Sequence, residues 1–540
     1  MTQPSQQSPI EENLSEWTVM VYFAADNDLI PAAAADLLDI KAVGSTEQVK
    51  VIAQNIVPAS GLTARYRLRQ GTFLDEDIKL LLGAEDRPES IADFACWAID
   101  NFPARRYMLV LWGHGLGWEG HDPHPIDPKN TTGRKMNSAD RILNVGKRRA
   151  LDRLMRSAPT ALKDSQNGDA EAAPERSPDF LESDNLSDAL ALVKSRINQR
   201  AGYGAAHGVE GAEERKIDIL GMDICLMAMA EVGYQVRESV DYMVASEEAE
   251  PAESWPYASI LSDLVETPNM PPDELAVRIA RKYILYFQGA GKFITQSICN
   301  LNRADDLLKA LKGLARVLRE SFASHDEQVM YAVMMARSMA QSFYMKEFID
   351  LYHFCEQLQT ICKSGGVNAK LGRRKLSDRI SVVRAACRKV LNVIRSQKNS
   401  QDAEETGGFV YDYGFYGFPL RDSNGVSIYF PCDRIEAGYD QLEFNQPRDK
   451  RDVTWNDFLK EFVLGFPQAQ SRTARMAGNV TGANLLKGKA GDPNKGKAGD
   501  PNKVPSPPSE HLPDSISNDP QGDTGTGKSG RPDYSGTKKL

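Results

Sequence analysis

Four short apolar runs constrain this chain more than anything else in it: Trp17 to Ala24 (WTVMVYFA), Val49 to Gln54, Tyr107 to Trp112 (YMLVLW) and Ile217 to Met222 (IDILGM). They are short and rich in β-branched and aromatic residues, which suits strands better than helices. Several are apolar at successive rather than alternate positions, so both faces of such strands must be covered. Helical patterns lie between them, through Asp36-Leu37-Leu38 and over Glu89 to Phe102, where Ile91, Phe94, Ala95, Ala98 and Ile99 recur at helical spacing. Leu62 to Arg69 alternates like a half-exposed strand, and Asp241 to Ser246 reads as a further strand. Strands alternating with helices predict an α/β fold: a mainly parallel sheet with helices on both faces.

The run that ends at Met222 leads into Asp223-Ile224-Cys225, and from Leu226 the pattern turns helical through Met229, Val232, Gly233 and Val236. A cysteine at a helix N-terminus would sit among unpaired N–H groups that favour a thiolate and can hold an oxyanion. The competing reading is packing, because free cysteine is among the most buried residue types. The Tyr107–Trp112 run leads into Gly113-His114-Gly115-Leu116-Gly117-Trp118. In α/β sheets reactive groups gather beyond the carboxyl ends of strands, so His114 and Cys225 occupy the same kind of place. A thiol nucleophile needs a base and an oxyanion site. His114 can serve as the base, and the N–H groups of Gly115 and Cys225 as the oxyanion site. Asp223 can either orient His114 as a third triad member or line a specificity pocket. The acidic stretch Glu247 to Glu253 is either a solvated turn or a pocket wall for a cation.

The remaining organisation follows composition. Residues 1–16 are polar and expected to be disordered. Residues 17–302 form the core unit, interrupted at about 120–180 by a basic, Pro- and Ser-rich insertion carrying Arg134 and Lys135. Asn185 to Asn198 reads as an amphipathic helix, and Ala201 to Glu214 as a second flexible stretch. Residues 303–400 are helical, with one apolar stripe through Leu307, Leu311, Leu314 and Leu318 and another through Met330, Met334, Met335 and Met339. Strands return within 401–466, followed by a closing helix from Trp455. Beyond 467 the chain repeats KGKAGDPN and is too poor in apolar residues to offset ordering entropy.

Hydrophobic residues at 41% and charged residues at 26% describe a globular protein, and a net charge of −9 argues against general nucleic-acid binding. Seven scattered cysteines without a CxxC pair predict neither a disulfide framework nor zinc. Cys96, Cys355, Cys362 and Cys387 read as core thiols, as do Cys299 and Cys432 near strand ends. No apolar run suits a membrane helix, and the first residues lack an export-type pattern. A reducing cytoplasm is therefore the expected setting, and oligomeric state is not legible.

LVLWGHGLGW (Leu109 to Trp118) and LGMDICLMAMAEV (Leu220 to Val232) resemble the His-Gly and Asp-x-Cys boxes of clostripain-family cysteine peptidases, which belong with gingipains and legumain to the caspase-like group. WTVMVYFAADNDL, VASEEAEP, FIDLYHF and GVSIYFP are similar too, in register from Trp17 to Phe466. The resemblance implies a caspase-like fold, Cys225 as nucleophile and His114 as general acid/base. It moves Asp223 to a pocket for a basic P1 side chain, with Glu250 and Glu253 as further candidates, and leaves a Cys–His dyad. Preference for Arg over Lys would follow from bidentate pairing of guanidinium with carboxylate. It also implies self-cleavage in the 120–180 insertion, near Arg134 or Lys135. Calcium activates some relatives; no EF-hand-like loop is present, so 247–253 is the candidate contributor and no cofactor is expected to be required. Two other readings remain: a catalytically silent caspase-like scaffold that binds protein partners, which would need neither His114 nor Cys225, and a transpeptidase or ligase, which uses the same residues with a different acyl acceptor.

Overall fold

The computed structural model describes residues 14–24, 29–56, 63–82, 91–119, 183–205, 214–363, 377–395 and 407–465. The expectations for most of the N-terminal stretch, the 120–180 insertion with Arg134 and Lys135, and the repeat-bearing tail lie outside the described residues.

Five strands form the parallel centre of a nine-stranded sheet: β1 (Ser15–Phe23), β2 (Val49–Ile56), β5 (Ala104–Trp112), β6 (Ile217–Asp223) and β7 (Val240–Ala245). On one side β3 (Thr63–Arg67) and β4 (Ile78–Leu82) continue it antiparallel. On the other, β8 (Ile294–Asn300) and β10 (Val410–Tyr416) do the same. The order is β10-β8-β7-β6-β5-β1-β2-β3-β4, so the fold is α/β with a mixed, mainly parallel sheet. A separate pair, β9 (Phe348–Asp350) and β11 (Ser427–Tyr429), runs antiparallel.

The uninterrupted apolar runs explain the two layers of helices. In β5, Met108, Val110 and Trp112 face a core shared with helices Ile30–Val43, Tyr257–Glu266 and Pro272–Ala290. Tyr107, Leu109 and Leu111 face the opposite core, shared with helices Ile91–Asn101, Ser183–Ala205 and Ala230–Val236. Each buried aliphatic or aromatic side chain contributes roughly 1.5–3 kcal/mol, so residues on both faces of one strand tie the two layers together. The helices within 304–394 pack into that second core as well.

Several sequence-based boundaries shift, each for a physical reason. β1 starts at Ser15, inside the stretch expected to be disordered, because Ser15 and Glu16 donate backbone N–H groups to Pro103 and Gln48 at 3.4 and 2.8 Å. β3 is buried rather than half-exposed. Its Arg65 is bound by Gln54 at 2.8 Å and lies over the Trp97 ring, so its second face is covered too. The helix starting at Ser183 reaches Ala205, into the stretch read as flexible. β9 interrupts the region read as wholly helical. Of the methionine stripe, Met330 is buried while Met339 is 50% exposed; Val329, Ala332, Val333 and Ala336 supply the rest of the core face. Cys299, Cys355, Cys362 and Cys387 are buried thiols, whereas Cys96 and Cys432 are half-buried.

Glu231, in the first turn of the Ala230–Val236 helix, is fully buried. Its Oε1 accepts from the Tyr429 N–H at 2.9 Å and the Tyr439 hydroxyl at 2.8 Å, and its Oε2 meets no donor. Burial pushes the carboxyl up to about 7. A value raised above the unfolded one means the contribution is complete below the unfolded value and lost as pH rises through about 7. Melting curves across this window should show wild type losing stability, and Glu231→Gln losing about 3 kcal/mol less; equal slopes would remove Glu231 from the account.

Candidate active site

Strands β5 and β6 are parallel neighbours, and Trp112 at the end of one stands opposite Asp223 at the end of the other. The pairing continues one step further, with the Gly113 N–H donating to the Asp223 carbonyl at 3.4 Å. The loops that follow are therefore side by side, and Gly115 seals them. A Cβ on Gly115 would stand 2.4 Å from Ile224 Cγ2 and 3.8 Å from the Cys225 carbonyl oxygen. Only glycine permits that approach. His114, half-buried, is thus carried on a loop pressed against the Cys225 turn.

Cys225 does not open a helix. Leu226 takes φ of 64°, a left-handed conformation that a leucine adopts at a cost of about 1–2 kcal/mol. The chain stays extended at Met229, and the helix starts only at Ala230. Hydrogen bonds from outside hold the turn: Leu226 N–H to the Glu248 carbonyl at 3.3 Å, and Ala228 N–H to the Ser246 carbonyl at 2.9 Å. In place of the expected helix-terminal N–H groups, the Glu250 N–H reaches Sγ at 3.2 Å. It does not outweigh its surroundings. Burial first, then the negative charges of Glu248 and Asp223, push the thiol up to about 11. In this resting arrangement sulfur keeps its proton, and a base must remove it before it can attack.

Asp223, two residues before the thiol, is buried. Its Oδ2 accepts from the Tyr257 hydroxyl at 2.7 Å and the Trp255 N–H at 3.2 Å. Glu250 lies against it: the Trp255 indole donates to Glu250 Oε2 at 3.2 Å, and Glu250 Oε1 has no donor. Two carboxyls in contact in a dry site cannot both ionise. Burial pushes Asp223 up to about 6, while burial and the Asp223 charge raise Glu250 much further. Asp223 has the donors and is the anion; Glu250 holds the proton. The Tyr283 hydroxyl, also buried and electrostatically coupled to this pair, makes no hydrogen bond. Glu253 is placed differently. Its half-exposed carboxylate pairs with Lys292 at the surface.

Sequence reasoning brought His114, Gly115, Asp223, Cys225 and Glu250 to one sheet edge; the fold sets the loop of His114 and Gly115 against the Cys225 turn and the Glu250 N–H against Sγ. It passed over Trp255 and Tyr257, whose polar tips organise the acid pair. Their signal is legible in hindsight: two large amphipathic side chains directly after an acidic loop, of the kind that bury a ring and keep one hydrogen-bonding handle. It also passed over Trp112, whose indole N–H is shared between Asp36 and Ser254, both at 3.0 Å.

The family model of the clostripain family matches residues 177–461, more than half of the chain. The chain belongs to the clostripain family. It is accordingly a cysteine-type peptidase acting on proteins or peptides. The match contains Asp223, Cys225 and Glu250 and begins beyond His114. Among solved structures, this clostripain-family chain is similar to a secreted C11 cysteine protease from Bacteroides thetaiotaomicron in complex with an irreversible peptide inhibitor, at 17% identity, TM-score 0.44, over 80% of this chain and 98% of that one. An inactive zymogen C11 protease from Parabacteroides distasonis matches at 18% identity and TM-score 0.44, over 80% and 97%. The fold is read from the strand order of this chain itself. A search of curated proteins found no match. Among the described residues, no group of three or more His, Cys, Asp or Glu side chains could hold a metal ion, and no helix is long and apolar enough to cross a membrane.

The contact between the two loops can be tested by filling it. Gly115→Ala should lower kcat/KM on a peptide substrate by about 100-fold, since small misplacements at a reacting centre cost this much. Adding Ile224→Ala, which removes the clashing methyl, should restore most of it; no recovery would contradict the packing described.

Proposed function

We propose that the chain is an endopeptidase that cuts after Arg, and less well after Lys, using Cys225 as nucleophile and His114 as general acid/base. The observation that carries this reading is the Asp223–Glu250 acid pair beside the thiol, with the Glu250 N–H donating to Sγ at 3.2 Å. His114 takes the Sγ proton, and the thiolate attacks the scissile carbonyl. The N–H groups of Gly115 and Cys225 are the proposed donors to the resulting oxyanion. His114 then protonates the departing amine, leaving a thioester that water hydrolyses.

The acid pair supports the choice of a basic P1 residue. The unpaired Tyr283 hydroxyl beside it is costly in a buried site unless a ligand satisfies it. A guanidinium supplies several donors in a fixed fork and allows the pair to release its shared proton. Glu253 is retained only as a rim group, because it is already paired with Lys292. Self-cleavage near Arg134 or Lys135 and modulation by calcium are extensions of the same reading.

A fluorogenic panel with Arg, Lys, Asp and Asn at P1, run with and without calcium, tests it. Wild type should prefer Arg. Cys225→Ala should be inactive and keep the intact chain mass if processing is its own work. Asp223→Asn should lose about 100-fold in kcat/KM on Arg, the scale of breaking a buried charge pair, with a smaller loss on neutral residues. Activity confined to Asp or Asn, or surviving in Cys225→Ala, would refute the reading.

A further inference from the structure

The segment Ser246 to Glu250 touches the Cys225 turn at three points: the Ser246 and Glu248 carbonyls accept from Ala228 and Leu226, and the Glu250 N–H donates to Sγ. Its far side is fastened too. The Glu247 and Glu248 N–H groups both donate to Thr295 Oγ1 on β8, at 2.9 and 3.0 Å. Glu248 Oε1 accepts from the Tyr344 N–H at 3.0 Å.

Between these attachments stands a second pair of buried acids. Glu247 Oε2 accepts from the Gly425 N–H at 2.9 Å, while Glu247 Oε1 meets no donor. The carboxyl facing it is Asp350, at the end of β9. Asp350 is well supplied. It accepts from the His353 N–H at 2.6 Å, the Asn424 side-chain amide at 3.1 Å and the Asn424 N–H. Both acids are 0–1% exposed. Asp350 therefore suits the anion, and only a proton on Glu247 satisfies the contact between them.

We propose that Glu247 and Asp350 are positioning residues for the nucleophile: one shared proton clamps the Ser246–Glu250 segment, and with it the Cys225 turn, onto the β9–β11 pair. This rests on Cys225 being the nucleophile. Neither acid touches the thiol; both act through the segment that does. The other groups facing Glu247 set how firmly the proton is held. Arg395, following the Asp378–Ile394 helix, is the nearby cation, and it is stacked on the Tyr352 and Tyr413 rings at 4.1 and 4.6 Å. Tyr413 on β10 and Cys299 on β8 are neutral neighbours. Burial and the Asp350 charge raise Glu247 well above its ordinary value, and the clamp is closed while that proton is held. Its loss as pH rises leaves two adjacent buried anions and opens the clamp.

Two readouts test the clamp in the full-length chain, from about pH 6 to about pH 10: kcat on an Arg peptide, and the rate at which iodoacetamide alkylates Cys225, mapped by mass spectrometry. Glu247→Ala should lower kcat at pH 7 by about tenfold or more with little change in KM. Glu247→Gln keeps an amide–carboxylate bond and has no proton to lose, so its alkaline fall in kcat and its alkylation profile should move up by at least about one pH unit. An unshifted profile in Glu247→Gln overturns the proposal. So does Glu247→Ala that lowers the melting temperature but not kcat. If Glu247→Ala fails to fold, the Glu247→Gln comparison decides alone. Failure of the underlying reading looks different: Cys225→Ala would still cut, whatever Glu247 does.

Discussion

The pairing of β5 with β6 is the constraint on which the site depends. Because Trp112 stands opposite Asp223 and Gly113 extends the ladder by one bond, the two following loops leave the sheet together. Gly115 then closes against Ile224 with no room for a side chain. The register itself is secured by burial: the β5 and β6 residues sit in both cores, and a slip by one position would turn each of those side chains toward the wrong layer.

On this frame the chain accepts several local costs at one edge. Leu226 is left-handed, Cys225 is held as a thiol in acidic surroundings, and two carboxyl pairs flank the segment that touches it. Each carries a cost to the fold. Unpaired buried acids destabilise proteins, and left-handed leucine is strained. Their concentration around the segment that touches one sulfur supports the proposed site over a core in which a cysteine merely fills space. The same acids make the arrangement sensitive to pH in one direction, since each holds a proton more tightly folded than unfolded.

Much of this was legible in the sequence, and the limits are instructive. The apolar runs at Trp17, Val49, Tyr107 and Ile217 give a two-sided sheet because no other arrangement buries them, and the boxes around His114 and Cys225 give the family. Antiparallel edges, the β9–β11 pair and the late start of the helix after Cys225 did not show. Helical spacing from Leu226 to Val236 is real, but only Ala230–Val236 is helical, because the first residues of that pattern are held by carbonyls of the Ser246–Glu248 segment. Those bonds join residues about twenty apart, and periodicity carries no trace of them. The pairing of Glu247 with Asp350 spans about a hundred residues and is equally silent. Composition showed an acidic loop; only the fold shows that two of its acids are buried and face other acids while Glu253 remains at the surface.

On the proposed reading the Cys225 thiol performs the chemistry, with His114 from the neighbouring loop as its base. Labelling with a peptide chloromethyl ketone ending in arginine, followed by tandem mass spectrometry, tests it most directly. The account predicts one adduct, on Cys225, largely lost in His114→Ala, with the other cysteines unmodified. An adduct on a different residue, or undiminished labelling of Cys225 without His114, would contradict it.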